Sequence, residues 1–570
     1  MKQLFKISYL LAIIGLSLTI FSLPTLAQTN LLPNANFENP AGATGMPDDW
    51  QSYGYGPEGN KIAVSREAGA GRNGSTAIRA QNLDSDAKAG IYTHVSLQPG
   101  TYEISIWARA QKGQTATIKM YLASNYSPQF EIGDQWMQVS FINTLPSLTA
   151  PIEKAEINFQ NVSGKPGTVW FDDISLQKIA NPLLTPDNKF AAVTSKKLIE
   201  YGWDVPTPEY LRDHIGEMEK RPFEGVIFRL PEGGGKVFDI GNWEKNKSSL
   251  QDQLKIASSI KWNKFTDNFL GMYAASTMDW YSDSDWTKVL SAVTFNAKVA
   301  KAAGCVGIMF DPEPYGTNPW NYPKSKHVDQ YSFAQYSEKV YQRGQQFMQA
   351  VQSQIPDVKV LMFHQYQMLY SVTHDPDPAK RQATLSTANY GLYLSFLNGM
   401  LSATNPNAQL IDGNEGSYYY QKPDQFYQAF WQMREGAKIN VPKDLKGKYD
   451  SNEKAANALY VDRLFSMRPK TFGYQISAGM TPEERAKWFE QNTYYALKTS
   501  QKYVWLYSET MNWWTDKDLP PGLQNAVMAA KAKLMNGQSL GYSLDETFKN
   551  AQVNLQKLLQ DEKQSPNAAH

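Results

Sequence analysis

Gly307-Ile308-Met309-Phe310-Asp311-Pro312-Glu313-Pro314-Tyr315-Gly316 reads as a buried strand that ends by presenting two carboxylates. Val306, Ile308 and Phe310 alternate with Cys305, Gly307, Met309 and Asp311, so large apolar side chains face one way and a smaller set the other. Glu313 keeps the parity of Asp311, which sends both acids to one side just past the strand end. Pro312 and Pro314 remove backbone donors and stiffen the segment into a fixed loop. Paired acids at the carboxyl end of a strand suit general acid and base work on sugars. A turn whose acids cap the next helix is the structural alternative.

Outward from this stretch, strand-like and helix-like segments alternate for more than 300 residues after Pro182. Strands are expected at 197–203, 225–230, 268–274, 307–311, 359–366, 409–415, 471–476 and 502–509. Helices are expected at 208–220, 285–303, 333–354, 388–403, 424–435 and 482–500. Thr481-Pro482-Glu483-Glu484 makes a good helix start, with a threonine cap, proline in the first turn and acids near the positive end. Eight strands with intervening crossovers predict a (β/α)₈ barrel, with a doubly wound sheet as the alternative. The charged stretch 443–454 reads as an insertion before the seventh strand, and the polar tail from Ala551 as frayed.

Barrels of this kind assemble their chemistry at the carboxyl ends of the strands. Those ends read Trp203-Asp204, Arg229, Tyr273, Asp311/Glu313, His364/Tyr366, Asp412/Glu415, Gln475 and Glu509. In the last strand, Tyr503, Trp505, Tyr507 and Glu509 share the inward parity, and Trp513 and Trp514 follow. An acid among three indoles would lie in an aromatic-walled cleft, where desolvation raises a carboxyl pKa; a rim acid bonded to Arg229 is the alternative. Asp412 and Glu415 precede three tyrosines with ambiguous parity, and either can supply the second carboxylate. Clustered histidines for metal-dependent hydrolysis are missing, since of the 6 histidines only His364 falls at a strand end. No GxSxG elbow or phosphate-cradling P-loop occurs.

Residues 30–179 have another texture, rich in Gly, Asn, Ser and Thr, with short alternating runs at 90–97, 101–110, 115–123, 136–142, 155–160 and 168–177. Turn signals between these runs predict an antiparallel sandwich. Tyr102, Ile104, Ile106 and Ala108 are assigned to the core, leaving Trp107 and Arg109 on the polar face. Asn158 and Gln160 also point outward, and the four together form a candidate sugar site, with a domain contact as the alternative.

Asn30-Leu31-Leu32-Pro33-Asn34-Ala35-Asn36-Phe37-Glu38-Asn39-Pro40, Gly45-Met46-Pro47-Asp48-Asp49-Trp50, the 102–109 strand and Val169-Trp170-Phe171-Asp172-Asp173-Ile174-Ser175-Leu176 resemble jelly-roll carbohydrate-binding modules found beside xylanases and glucanases. The resemblance implies a structural calcium between the first and last strands, with Glu38 and Asp173 as ligands. Beyond this module, the paired acids at 311 and 313 look loosely like the fourth-strand acids of chitinase-type barrels, which implies Glu313 as general acid and Asp311 as its modulator. The longer acid series of chitinases is absent. Acids on strands four and six are also similar to the arrangement of α-galactosidases, matching Asp311 with Asp412 or Glu415.

Lys2 and Lys6 precede an apolar stretch from Tyr9 to Ser22, then Pro24 and Thr25-Leu26-Ala27, the pattern of a signal peptide cut after Ala27. Export to the periplasm or the medium follows, with no later membrane span. A single cysteine in 570 residues excludes an intramolecular disulfide framework. A formal charge of +1 gives no electrostatic case for nucleic acid or anionic membrane, whereas 15 Trp and 32 Tyr suit the apolar faces of sugars.

The expected organisation is a signal peptide at 1–27, a binding-module sandwich at 28–179, a glycoside-hydrolase-like barrel at 180–550 and a tail at 551–570. The expected activity is hydrolysis of a poly- or oligosaccharide without a catalytic cofactor. Glu313 is the acid/base and Glu509 the first choice for nucleophile or water-activating base, assisted by Asp311 and by Asp412 or Glu415. Trp203, Asp204, Arg229, Tyr315, His364, Tyr366, Trp505, Trp513 and Trp514 are the expected substrate contacts. A non-catalytic glycan-binding or matrix protein on a barrel scaffold is the rival.

Overall fold

The computed structural model describes residues 30–39, 45–55, 61–98, 100–123, 125–145, 152–179, 195–373, 378–434, 436–469 and 473–564. The expected signal peptide lies outside them.

The N-terminal region is a sandwich of two five-stranded antiparallel sheets. Its strands are β1 (Gln51–Tyr55), β2 (Ile62–Glu67), β3 (Ala77–Asn82), β4 (Lys88–Leu97), β5 (Gly100–Ala110), β6 (Ala116–Leu122), β7 (Asn125–Ile132), β8 (Met137–Leu145), β9 (Ile152–Asn161) and β10 (Gly167–Ile179). One sheet runs β1-β4-β9-β6-β7 and the other β2-β3-β10-β5-β8. Strict alternation puts Tyr102, Ile104, Ile106 and Ala108 inside with Phe37, Trp50, Ile157, Phe159 and Phe171.

The C-terminal region is a nine-strand parallel sheet: β11 (Lys197–Gly202), β12 (Gly225–Phe228), β13 (Phe269–Tyr273), β14 (Gly307–Asp311), β15 (Lys359–Met362), β16 (Gln409–Asp412), β17 (Glu453–Ala455), β18 (Asn457–Tyr460) and β19 (Tyr503–Ser508). Its order is β17-β16-β15-β14-β13-β12-β11-β19-β18. The two strands at its ends, β17 and β18, are separated in sequence by Ala456 alone, so the sheet curls into a nearly closed barrel instead of an open doubly wound layer. Side chains obey the parity expected of a wall buried on both faces. Ile308 and Phe310 pack outward under the helices, while Ile199, Ile227, Phe269, Met309, Leu361, Ile411 and Trp505 fill the barrel.

Two expectations fail here. The stretch read as a charged insertion runs into β17, and β17 with β18 occupies the place expected of 471–476. Residues 470–472 lie outside the described ones, and 473–475 are not a strand. The expected frayed tail is instead a helix, Asp545–Gln564. Phe548 packs edge-on to Trp488 at 5.2 Å, and Asn554 Nδ2 donates to the Gly479 carbonyl at 3.0 Å. The helix Pro482–Thr499 does begin with the expected reciprocal cap, Thr481 N–H to Glu484 Oε2 at 2.8 Å and Glu484 N–H to Thr481 Oγ1 at 3.2 Å. Among the described residues no helix is long and apolar enough to cross a membrane.

Candidate active site

A cleft of about 230 Å³ opens at the carboxyl ends of the barrel strands. Tyr201, Glu313, Tyr315, Phe363, Glu415 and Glu509 line it, with Tyr418, Tyr419, Tyr460, Arg468 and Tyr507. Three glutamates from three strand ends, almost two hundred positions apart, therefore share one mouth.

Asp311 closes β14 and is fully buried. Its Oδ1 accepts the Glu313 N–H at 2.8 Å, and Tyr315 Oη lies 2.9 Å from its Oδ2. Tyr315 Oη is also 2.8 Å from Glu313 Oε2. Burial pushes the Asp311 carboxyl up to about 7, against the bonds from Glu313 N–H and Tyr315; the charges of Glu313 and Glu415 add to the rise. Glu313 itself is half-buried and faces the cleft.

Beyond β16 the chain separates its two acids. Asn414 takes a left-handed conformation (φ 44°, ψ 59°), one that asparagine tolerates better than most residues. Asp412 stays 2% exposed and accepts amides from Asn414 at 3.0 Å and Gln367 at 3.3 Å. Burial raises its carboxyl to about 6 despite those amides. Glu415 is turned into the cleft, where its Oε2 meets His364 Nε2 at 2.7 Å. Burial opposes charge on His364, but Glu415, Glu313 and Asp311 outweigh it and raise the imidazole above its ordinary value. One ligand atom each from Glu313, His364 and Glu415 lie within 4.8 Å of one another. His364 Nε2 and Glu415 Oε2 thus form a close pair that faces a second carboxylate, Glu313.

Glu509 follows β19 with the expected parity. Tyr507 Oη donates to its Oε1 at 3.2 Å, and its N–H donates to Asp462 Oδ2 at 2.8 Å. Trp203 is 72% exposed, and its Nε1 donates to Tyr507 Oη at 3.0 Å. So large an exposed indole is unusual, and it stands next to the cleft-lining Tyr507.

Several expected contacts sit elsewhere. Trp505 is fully buried inside the barrel, stacked on Phe363 at 4.1 Å, with Nε1 bonded to the Gly413 carbonyl at 2.9 Å. Trp513 is also fully buried, edge-on to Phe223 at 4.8 Å, and Trp514 packs beside the same ring. Asp204 ties these loops together, accepting Trp513 N–H at 2.8 Å while its carbonyl accepts Trp514 Nε1 at 3.0 Å. Tyr366 is buried with its hydroxyl on Asn398 Oδ1 at 3.1 Å. Arg229 is exposed, and its charge acts on Tyr273. The cleft wall is thus tyrosine, not tryptophan. Tyr201 and Tyr507 were legible from strand parity, but Tyr460 and Arg468 were hidden by the misplaced seventh strand.

In the sandwich the four expected sugar contacts are not together. Trp107 and Arg109 lie on the sheet containing β5; Asn158 and Gln160 lie on β9 in the other. Arg72 sits 3.6 Å over the Trp107 ring and Arg109 sits 4.3 Å over Trp170, so guanidinium groups cover those indoles. On β9, Asn158 and Gln160 are buried rather than facing solvent as expected. Tyr92, Asn158, Tyr121 and Tyr126 form one cross-strand row, with Gln160 and Lys119 paired beside it. Tyr126 is 51% exposed, and the buried Asn158 Oδ1 has no hydrogen-bond partner. The implied calcium ligands, Glu38 and Asp173, have these partners. Glu38 accepts Thr76 N–H at 2.6 Å and Thr76 Oγ1 at 3.0 Å, and Asp173 is paired with Arg72 at 2.6 Å. Both carboxylates are already committed to protein donors.

Residues 29–164 match the family model of a carbohydrate binding domain (CBM_4_9). The N-terminal region is thus similar to carbohydrate-binding domains. No curated protein sequence matches the chain. Among solved structures, similarity extends to the enzymatically active domain of tailspike protein 4 of bacteriophage CBA120. That match is 19% identical, covers 26% of this chain and 21% of that one, and has a TM-score of 0.20. The chain thus spans about a fifth of that protein. A xylan-binding domain from Paenibacillus barcinonensis is 13% identical over 27% of this chain and 98% of its own, with a TM-score of 0.21. The binding and catalytic modules of a Clostridium thermocellum endo-1,4-β-D-xylanase, complexed with xylohexaose, are 10% identical over 89% of this chain and 98% of theirs, with a TM-score of 0.29.

Proposed function

We propose that the protein is an exported glycoside hydrolase in which a (β/α)₈ barrel cleaves a poly- or oligosaccharide held by the N-terminal domain. The observation that carries this reading is the facing of Glu313 and Glu415 across the tyrosine-lined cleft, with oxygens within 4.8 Å. Carboxyl groups about 5–5.5 Å apart belong to retaining glycosidases, whereas inverting ones leave about 6.5–9.5 Å for a water.

Glu313 protonates the glycosidic oxygen as the bond to the anomeric carbon breaks. Glu415, paired with His364 at 2.7 Å, takes that carbon to form a glycosyl ester. Water then attacks the anomeric carbon and gives its proton to Glu313, and the bond from that carbon to Glu415 breaks to release the carboxylate. Glu415 takes the nucleophile's place that Glu509 was expected to hold, because its spacing to Glu313 and its charged partner are both suited to the role. Glu509, bonded to Tyr507, binds a sugar hydroxyl. The cleft is smaller than the roughly 300–1,000 Å³ of pockets enclosing drug-sized ligands, which suits a short sugar segment. The β9 face, with Tyr92, Tyr121, Tyr126, Asn158 and Gln160, is the proposed glycan surface of the binding domain.

The test is release of new reducing ends from a panel of polysaccharides and oligosaccharides. Turnover by the wild type, with Glu313→Gln and Glu415→Gln losing it about 10²-fold or more while polysaccharide affinity persists, is the expected result. Binding without release from any glycan would leave the non-catalytic rival standing.

A further inference from the structure

Tyr315 touches two carboxyl groups with one proton to give. Its Oη lies 2.9 Å from Asp311 Oδ2 and 2.8 Å from Glu313 Oε2. A phenol donates one hydrogen bond, and at the second contact its lone pairs face an oxygen. If both acids were ionised, that contact would set a lone pair against a carboxylate, so one carboxyl must hold a proton. Glu313 gives up its own proton in the first step, so in the state that follows Asp311 must hold it. Asp311 is fully buried, and its other oxygen already accepts the Glu313 N–H, whereas Glu313 opens to the cleft.

We infer that Asp311 is a neutral positioning residue: its Oδ2–H donates to Tyr315 Oη and thereby aims the phenol proton at Glu313 Oε2. This rests on Glu313 being the acid/base. When Glu313 gives its own proton to the leaving oxygen, the new carboxylate finds a donor already directed at it. When Glu313 later takes a proton from water, the same donor relaxes without leaving its place. No proton need pass along the chain, and none is created or lost in it. Ionisation of Asp311 would capture the Tyr315 hydroxyl for itself and set a second negative charge beside Glu313, so the device fails as pH rises. The groups facing Asp311 from other elements are Tyr201, Tyr273, His364, Glu415, Tyr390 and Tyr393. The four tyrosines among them are un-ionised at neutral pH; Glu415 and His364 are paired with each other.

Asparagine imitates the neutral acid, with Oδ1 for the Glu313 N–H and Nδ2 to donate to Tyr315. The experiment compares pH–rate profiles of the wild type, Asp311→Asn and Tyr315→Phe on the glycan the wild type cleaves. Alongside it, the infrared band of protonated carboxyl groups is followed against pH without substrate. Asp311→Asn should flatten the alkaline limb relative to its own maximum, while Tyr315→Phe should lose about tenfold or more at its optimum. Subtracting the Asp311→Asn spectrum should leave one neutral-carboxyl band that persists beyond pH 6. Loss of turnover in Asp311→Asn at every pH, to the level of Glu313→Gln, would overturn the inference. So would a difference band that vanishes by pH 5, and that readout holds even if no glycan is cleaved.

Discussion

Burying Asp311 has a thermodynamic consequence that can be measured without knowing the substrate. Its carboxyl rises from 3.8 in the unfolded chain to about 7 in the native one. Between those values the folded protein holds a proton that the unfolded chain has released. Stability must therefore fall as pH rises through that window, with the full cost present above pH 7. A shift of this size corresponds to roughly 4 kcal/mol at about 1.4 kcal/mol per unit, and full burial leaves no solvent screening to discount. Asp311→Asn cannot ionise and so carries no such cost. The wild type and the variant should be close at pH 4 and diverge by up to roughly 4 kcal/mol by pH 8, the variant being the more stable. Urea unfolding of both chains at half-unit steps reads this directly, because the other buried acids, Asp412, Glu200 and Glu453, cancel in the difference. A gap that stays constant within about 1 kcal/mol from pH 4 to pH 8 would refute the assignment of Asp311 as a buried neutral acid.

Three further outcomes are expected. His364→Asn removes the imidazole paired with Glu415 at 2.7 Å, and turnover should fall by about 10–100-fold. Because the His364 value is raised, the pair is intact at low pH and lost as pH climbs through that value, so the wild type's alkaline decline should change shape in the variant. Trp203→Ala should raise KM about tenfold with a smaller effect on kcat, read from initial rates, since an exposed platform supplies about 0.5–1.5 kcal/mol of stacking. Tyr121→Ala or Asn158→Ala should weaken retention in polysaccharide-containing gels but leave hydrolysis of short oligosaccharides intact, whereas Trp107→Ala should leave gel retention as it is.

Where residue pattern and packing agree, the sequence was informative. Alternation through β14 and β19 correctly separated Ile308 and Phe310 from Met309 and Asp311, and set Glu509 on the parity of Tyr503, Trp505 and Tyr507. The seventh wall segment was invisible because Glu453-Lys454-Ala455-Ala456-Asn457-Ala458 combines charged, small and amide residues that seldom form strands. Position in the barrel overrides that preference: Glu453 is 1% exposed, and Asn457 Nδ2 donates to the Ala496 carbonyl at 3.2 Å. Parity also lapses beyond β16, where one left-handed residue, Asn414, decides which acid enters the cleft. Indoles next to an acid in sequence looked like cleft walls, yet Trp505 and Trp513 are core residues, because a large apolar ring is worth more buried than displayed. Composition hid the last helix, whose few apolar contacts are Phe548 and Ala551.

The spacing of Glu313 and Glu415 makes a stereochemical demand that one time-resolved proton NMR experiment on the wild type can check. During the first turnovers on a cleaved glycan, the anomeric signal to appear first should have the configuration of the bond that was broken, with the other anomer growing in only by mutarotation. First appearance of the opposite anomer would contradict Glu415 as a nucleophile at this spacing.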